Sequence, residues 1–265
     1  MASPLKLKMY KPYSIRCPAF DVTSGGIRAV YGLYGALLMK GQIVFMNAKI
    51  DTNFIGIYPE IYHGNDMGAT TVVRWVLQTP GIMANYGIPG PDTNEIKATS
   101  DHIYVFSKIY DTIGVADDHI LFLPILNLHL FKNQKKKRTK TCFLIGKGIN
   151  QNKHPDDAIE LTRQFAFDQQ ALADLLNECS VLYCYDRLSA MMDIARLCGC
   201  RVQYYGDFSK DKLSLYETGM NGLGYRDEEI KLDTDEFRNH YKDMITIFNN
   251  RLDNFIENTQ KKLLY

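Results

Sequence analysis

The 265-residue chain is short of several features that fix a protein's class at sight. Its longest apolar stretch, residues 120–131, is interrupted by Pro124, Asn127 and His129. That falls well below the ~20 apolar residues needed to span a bilayer. Lys6, Lys8 and Lys11 are followed by no apolar core segment, so no secretory leader is read. Charge of one sign is also missing. Thirty-one Lys and Arg stand against 30 Asp and Glu, a net charge of +1, which argues against a nucleic-acid binder built on bulk positive charge. The six cysteines form no C-x-x-C and have no histidine at zinc-finger spacing. They read as buried free thiols in a reducing, cytoplasmic compartment. Nothing resembles a Walker loop. There is a single tryptophan, yet 17 Tyr and 13 Phe supply enough aromatic area for a large core.

What is present is an alternation of short apolar runs and amphipathic segments. Ser24–Arg28 reads as a glycine turn, and Ile27, Val30, Leu33, Tyr34, Leu37 and Leu38 behind it form a helical stripe that stops at Lys40-Gly41. Residues 42–46, 54–58 and 102–107 read as buried strands, residues 68–77 as a helix, and residues 82–92 as a surface loop. Residues 120–126 are strand-like around Pro124, and the basic run 135–140 is a solvated connection, with phosphate or membrane-surface contact as its alternative.

A second unit starts at a strand over residues 141–145, which leads into Gly146-Lys147-Gly148. A helix start follows at residues 158–163, then a helix over 169–178, a strand over 181–185, a helix over 188–197 and a strand over 201–205. This order predicts a parallel α/β sheet, and the first unit has the same rhythm. The expected architecture is therefore α/β with two Rossmann-like lobes facing each other: residues 1–125, residues 126–233, and a C-terminal helix over 234–265 packing back on the body. Tyr241, Ile245, Phe248, Leu252, Phe255 and Ile256 form the apolar stripe of that helix.

Four stretches resemble the small two-Rossmann-domain glycosyltransferases (the GT-B fold), in their retaining, polysaccharide and lipopolysaccharide group. They are Ser24 to Leu33 with Lys40-Gly41; Ile57 to Ile61 with Gly64-Asn65, residues 72–75 and Pro80-Gly81; Phe143 to Gly148 with Lys153; and Tyr185-Asp186 with Ser189-Ala190 and residues 195–199. They cover residues 24–205 in the family's order. The resemblance implies a nucleotide-sugar donor as substrate, a glycan, lipid-linked sugar or protein glycan as acceptor, retention at the anomeric carbon, and neither metal nor cofactor. It implies no nucleic-acid partner and leaves peripheral membrane contact open.

The resemblance assigns roles, and each has a plainer alternative. Lys147 and Lys153 stand where the family holds the diphosphate, although Lys147 replaces an arginine; otherwise they are exposed loop lysines. Fixed cations there would stabilise charge developing on the leaving group. Asp186 stands where an acid contacts sugar hydroxyls, or it caps the next helix. The family's ribose-binding acid, eight positions on, is Ile194 here. Tyr185, Ser189 and Ala190 complete the donor side, where helix amides can face phosphate. Gly25 and Gly26 permit a positive-φ turn and close ligand approach, or make a tight turn alone. Arg28 reaches the cleft or is solvated. Glu60 and His63 follow a strand end, where they contact an acceptor hydroxyl, act as base, or sit in a surface loop. Two rivals remain: a non-catalytic nucleotide- or glycan-binding relative, and a nucleotide-sugar epimerase on two Rossmann halves.

Overall fold

A computed structural model describes residues 10–261. The chain divides into two compact units. The first holds the N-terminal residues through Phe20, Ala29–Leu123, and the C-terminal residues from Phe248; the second holds Asp21–Arg28 and Pro124–Ile247.

In the first unit β1 (Tyr13–Ile15), β2 (Val44–Met46), β3 (Ile55–Pro59), β4 (Thr71–Val76) and β5 (His102–Val105) form one sheet, ordered β2-β1-β3-β4-β5. Every pairing is parallel. In the second unit β6 (Lys140–Leu144), β7 (Ile159–Glu160), β8 (Cys179–Cys184), β9 (Arg201–Tyr204) and β10 (Leu223–Tyr225) form another, ordered β10-β9-β8-β6-β7 and again wholly parallel. Read from β7, this is the same 2-1-3-4-5 order as in the first unit. The expected α/β class with two Rossmann-like lobes holds, each in the flavodoxin-like variant of the doubly wound sheet.

The helices are α1 (Gly25–Met39), α2 (Thr93–Ala98), α3 (Gln169–Glu178), α4 (Ala190–Leu197), α5 (Lys210–Leu213) and α6 (Thr234–Gln260). Helix α1 buries Ala29, Val30, Leu33 and Leu37. Each of these leucines gains ~2 kcal/mol from burial. Asp168 caps α3 and Ser189 caps α4, each side chain accepting a backbone N–H from the first turn. Helix α6 uses both units. Phe255 packs on Tyr13 and Tyr104 in the first, and Tyr241 receives the Leu126 N–H in the second.

Several local expectations fail for physical reasons. Residues 68–77 are no helix: Gly68 makes a left-handed turn, and Thr71–Val76 is a strand buried along its whole length. Its valines match a helical spacing, but they are β-branched and no polar face accompanies them. The helix start at 158–163 is edge strand β7, drawn in by pairing of Ile159 with Cys142. Of the strand at 120–126, only Ile120 bridges, to Val105; Pro124 lacks an N–H for a ladder. Gly25 and Gly26 form no positive-φ turn, because they are the first helical residues of α1 behind Ser24. Ile245 is 37% exposed, and Phe237 and Met244 join the buried stripe of α6 in its stead. All six cysteines are free and buried, as expected.

Candidate functional site

In the second unit the chain leaves β6 for the edge strand β7, then returns to β8 on the other side of β6. The carboxyl ends of β6 and β8 therefore flank the point where strand order reverses, the position at which open α/β sheets bind ligands. The loop after β6 is pressed onto the end of β8. A Cβ at Gly146 (φ +56°) would strike the Asp186 carboxylate, and one at Gly148 would strike the Tyr185 carbonyl oxygen. Both glycines are thus required by packing.

Asp186 accepts the Lys147 N–H at 3.3 Å and the Arg187 N–H at 2.8 Å. Burial raises its pKa above the ordinary carboxylate range, against the pull of those amides and of Lys147. Asp186 does not cap α4; Ser189 does, accepting the Met191 N–H at 3.2 Å. The side chains of Lys147 and Lys153 are exposed. Tyr185 is 1% exposed, and its hydroxyl accepts the Lys153 N–H at 2.9 Å.

The same unit holds a cavity of about 80 Å³, where the amino ends of α1, α3 and α4 converge. Thr23 lines it from just before α1 and Arg28 from within it, Gln169 and Leu172 from α3, Ser189 from the cap of α4 and Ile194 from within it. Arg28 is half-buried, and burial lowers its pKa, though a guanidinium stays charged. Its guanidinium has no hydrogen bond or ion pair among the described residues. Ala190 opens α4, and Gly25 and Gly26 are exposed at the start of α1. A Cβ at Gly25 would meet nothing within 4 Å. Neither conformation nor crowding demands glycine there.

The apolar Ile194 occupies the cavity wall because its neighbour Asp193 turns the other way. Asp193 pairs with the fully buried Arg196 at 2.6 Å and accepts the Tyr216 hydroxyl at 2.7 Å. One D-x-D spelling stands in the chain, Asp233-Thr234-Asp235. It is a helix cap: Asp233 accepts the Asp235 and Glu236 amides at 3.0 and 2.9 Å.

Glu60 and His63 belong to the first unit. Glu60 is 5% exposed and accepts the Leu77 N–H at 2.8 Å, which ties the end of β3 to the end of β4. His63 Nδ1 lies 2.9 Å from a Glu95 carboxylate oxygen at the exposed surface. The other predicted site residues fall in the second unit, in two groups: Lys147, Lys153, Tyr185 and Asp186 at the strand ends, and Gly25, Gly26, Arg28, Ser189 and Ala190 at the converging helices.

Sequence reasoning missed His154 and Gln151, which fasten the loop after β6. His154 contacts the Tyr185 hydroxyl at 2.7 Å, and Gln151 donates to the Tyr205 carbonyl at 2.7 Å. Neither has a spacing partner in the sequence that would mark it. Among the described residues no group of three or more His, Cys, Asp or Glu is placed to hold a metal. No described helix is long and apolar enough to cross a membrane.

No protein-family model matches the chain, and no curated protein does. Among solved structures, one that resembles it is a Klebsiella pneumoniae protein described as functional and uncharacterised: 12% identity, 83% of this chain and 94% of that one, TM-score 0.47. Another is the glycotransferase of kitacinnamycin, at 7% identity over 96% of this chain and 100% of that one, TM-score 0.42. At these scores neither likeness bears on chemistry, and the fold assignment rests on the strand pairing described above.

Proposed function

We propose that the protein is a glycosyltransferase that moves a sugar from a nucleotide-sugar donor to an acceptor hydroxyl of a glycan, lipid-linked sugar or protein glycan. The reading includes retention at the anomeric carbon and cations of the chain in place of a metal. One observation carries it: an unpaired Arg28 guanidinium lines a cavity on which the amino ends of three helices converge. Helix dipoles, the first-turn N–H groups that the Ser24, Asp168 and Ser189 caps leave over, and a partly desolvated cation together favour a phosphate group. Gly25, Gly26, Ser189 and Ala190 surround this position in the chain, and Lys147 and Lys153 stand on the exposed loop after β6 of the same unit. On this reading a departing nucleoside diphosphate is stabilised as its charge develops. On the same reading the lone pairs that its two amide bonds leave on Asp186 meet the sugar at the strand end.

A second reading is a non-catalytic module that binds a nucleotide or glycan. It is favoured by Ile194, which offers no hydrogen bond to a ribose, and by the engagement of Asp186 with loop amides. A thermal-shift screen with UDP, GDP, dTDP and CDP sugars separates the two when followed by assay of the hit. A bound ligand raises Tm through its preferential affinity for the folded state. Binding with release of the nucleoside diphosphate supports transfer. Binding without turnover on any acceptor class supports the module, and no Tm shift with any nucleotide sugar refutes both as nucleotide-dependent proteins.

A further inference from the structure

His154 is placed as few surface-loop histidines are. Its ring lies flat on Phe143, with centroids 3.8 Å apart and planes 8° from parallel. Its Nδ1 is 2.7 Å from the hydroxyl of the buried Tyr185. That hydroxyl already accepts the Lys153 N–H at 2.9 Å. A phenol has one proton to donate, and the acceptor within reach is Nδ1. Burial raises the Tyr185 pKa, so the phenol keeps that proton at neutral pH. With the phenol as donor, Nδ1 is the acceptor and a ring proton sits on Nε2. Nε2 points away from Tyr185, has no partner among the described residues, and is not among the buried unpaired atoms.

The loop is already clamped by the Lys153 amide on the Tyr185 hydroxyl. Here one nitrogen is locked and the other is left uncommitted at the carboxyl ends of β6 and β8. The loop that carries it, residues 146–154, contains Lys147 and Lys153, and the Asp186 carboxylate pressed on it is taken up by the Lys147 and Arg187 amides. The two lysines match an anionic oxygen.

We propose that His154 is a ligand-contacting residue of the second unit, donating Nε2–H to an oxygen of a bound phosphoryl group, and that Tyr185 is its positioning residue. The choice of ligand rests on the donor reading above; the orientation of the ring does not.

Long-range proton–nitrogen NMR on the full chain tests both parts, with the His154 signals identified by their loss in His154→Gln. The expected result at neutral pH is a single Nε2–H tautomer, which becomes a mixture in a folded Tyr185→Phe variant. On titration with inorganic pyrophosphate, and separately with UDP, the His154 Nε2 resonance should move saturably, in step with calorimetric binding. His154→Phe, which keeps the ring stack, should weaken binding about five- to tenfold, and His154→Gln, which keeps a donor, should weaken it less. An Nδ1–H tautomer, or saturation by either probe with the His154 signals unmoved, overturns the proposal while leaving the donor reading intact. A His154 response to pyrophosphate with no binding of any nucleotide sugar supports the proposal and overturns that reading. Failure of both probes to bind at millimolar concentration overturns both. If Tyr185→Phe does not fold, the tautomer of the wild type and the affinity of His154→Phe still decide: unchanged affinity marks a structural histidine.

Discussion

Replacing Arg28 with methionine separates a binding role from a structural one, because the two roles predict opposite signs. In the free protein the Arg28 guanidinium is partly desolvated and makes no hydrogen bond among the described residues. Its removal therefore breaks no pair, relieves a burial cost, and retains an apolar stem against the cavity wall. Stability to urea should stay within about 0.5 kcal/mol of wild type or rise slightly. Ligand binding should behave otherwise. A charge-assisted hydrogen bond is worth about 1.5–3 kcal/mol, and at about 1.4 kcal/mol per decade this is roughly a 10- to 100-fold loss of affinity. Calorimetric titration with UDP and with inorganic pyrophosphate measures the affinity, and urea unfolding measures the stability. A variant that loses more than about 2 kcal/mol of stability yet binds both probes as tightly as wild type refutes the anion-site reasoning.

Three further outcomes follow from the same geometry. Gly148→Ala forces a methyl group into the Tyr185 carbonyl, so it should destabilise the fold by on the order of 3 kcal/mol in urea; a loss below about 1 kcal/mol would contradict the close approach. Asp193→Ala strands the buried Arg196 charge and should cost about 3–5 kcal/mol, whereas Asp193→Leu combined with Arg196→Met should recover most of that loss; equal destabilisation of single and double variants would show that the charge is not the cause. Burial raises the Asp186 pKa, so the folded chain holds that proton more tightly than the unfolded one. Its contribution to stability is present below the unfolded pKa and is lost as pH rises through the folded pKa. Asp186→Asn keeps an acceptor for the Lys147 and Arg187 amides without titrating, so its stability relative to wild type should rise as pH climbs above the unfolded carboxylate pKa of about 3.9. A fall over that range is the refuting result.

The amino-acid sequence by itself determined the α/β class, the two-lobe organisation and most of the longer elements. The reason is local: an apolar stripe at helical spacing, as in α1 and α3, or a short apolar run between turn residues, as in β3 and β8, has one way to bury itself. It did not determine elements whose identity depends on a neighbour. Strand β1 is three residues long, and β7 exists because Ile159 finds Cys142. Thr71–Val76 satisfies a helical spacing and a strand equally until β3 and β5 enclose it on both sides. The same division runs through the candidate site. The family resemblance suggested Lys147, Lys153, Asp186 and Ser189. Tertiary structure decided what each side chain is free to do. Asp186 is held by two loop amides, Glu60 by the Leu77 amide, and Tyr185 is turned inward, while Arg28 is left without a partner. His154 carries no signal in one dimension, since its distinction is a hydrogen bond to a residue 31 positions away. Hydrogen-bond commitment is a property of three-dimensional neighbours, and it separates a group that can meet a ligand from one already spent on the fold.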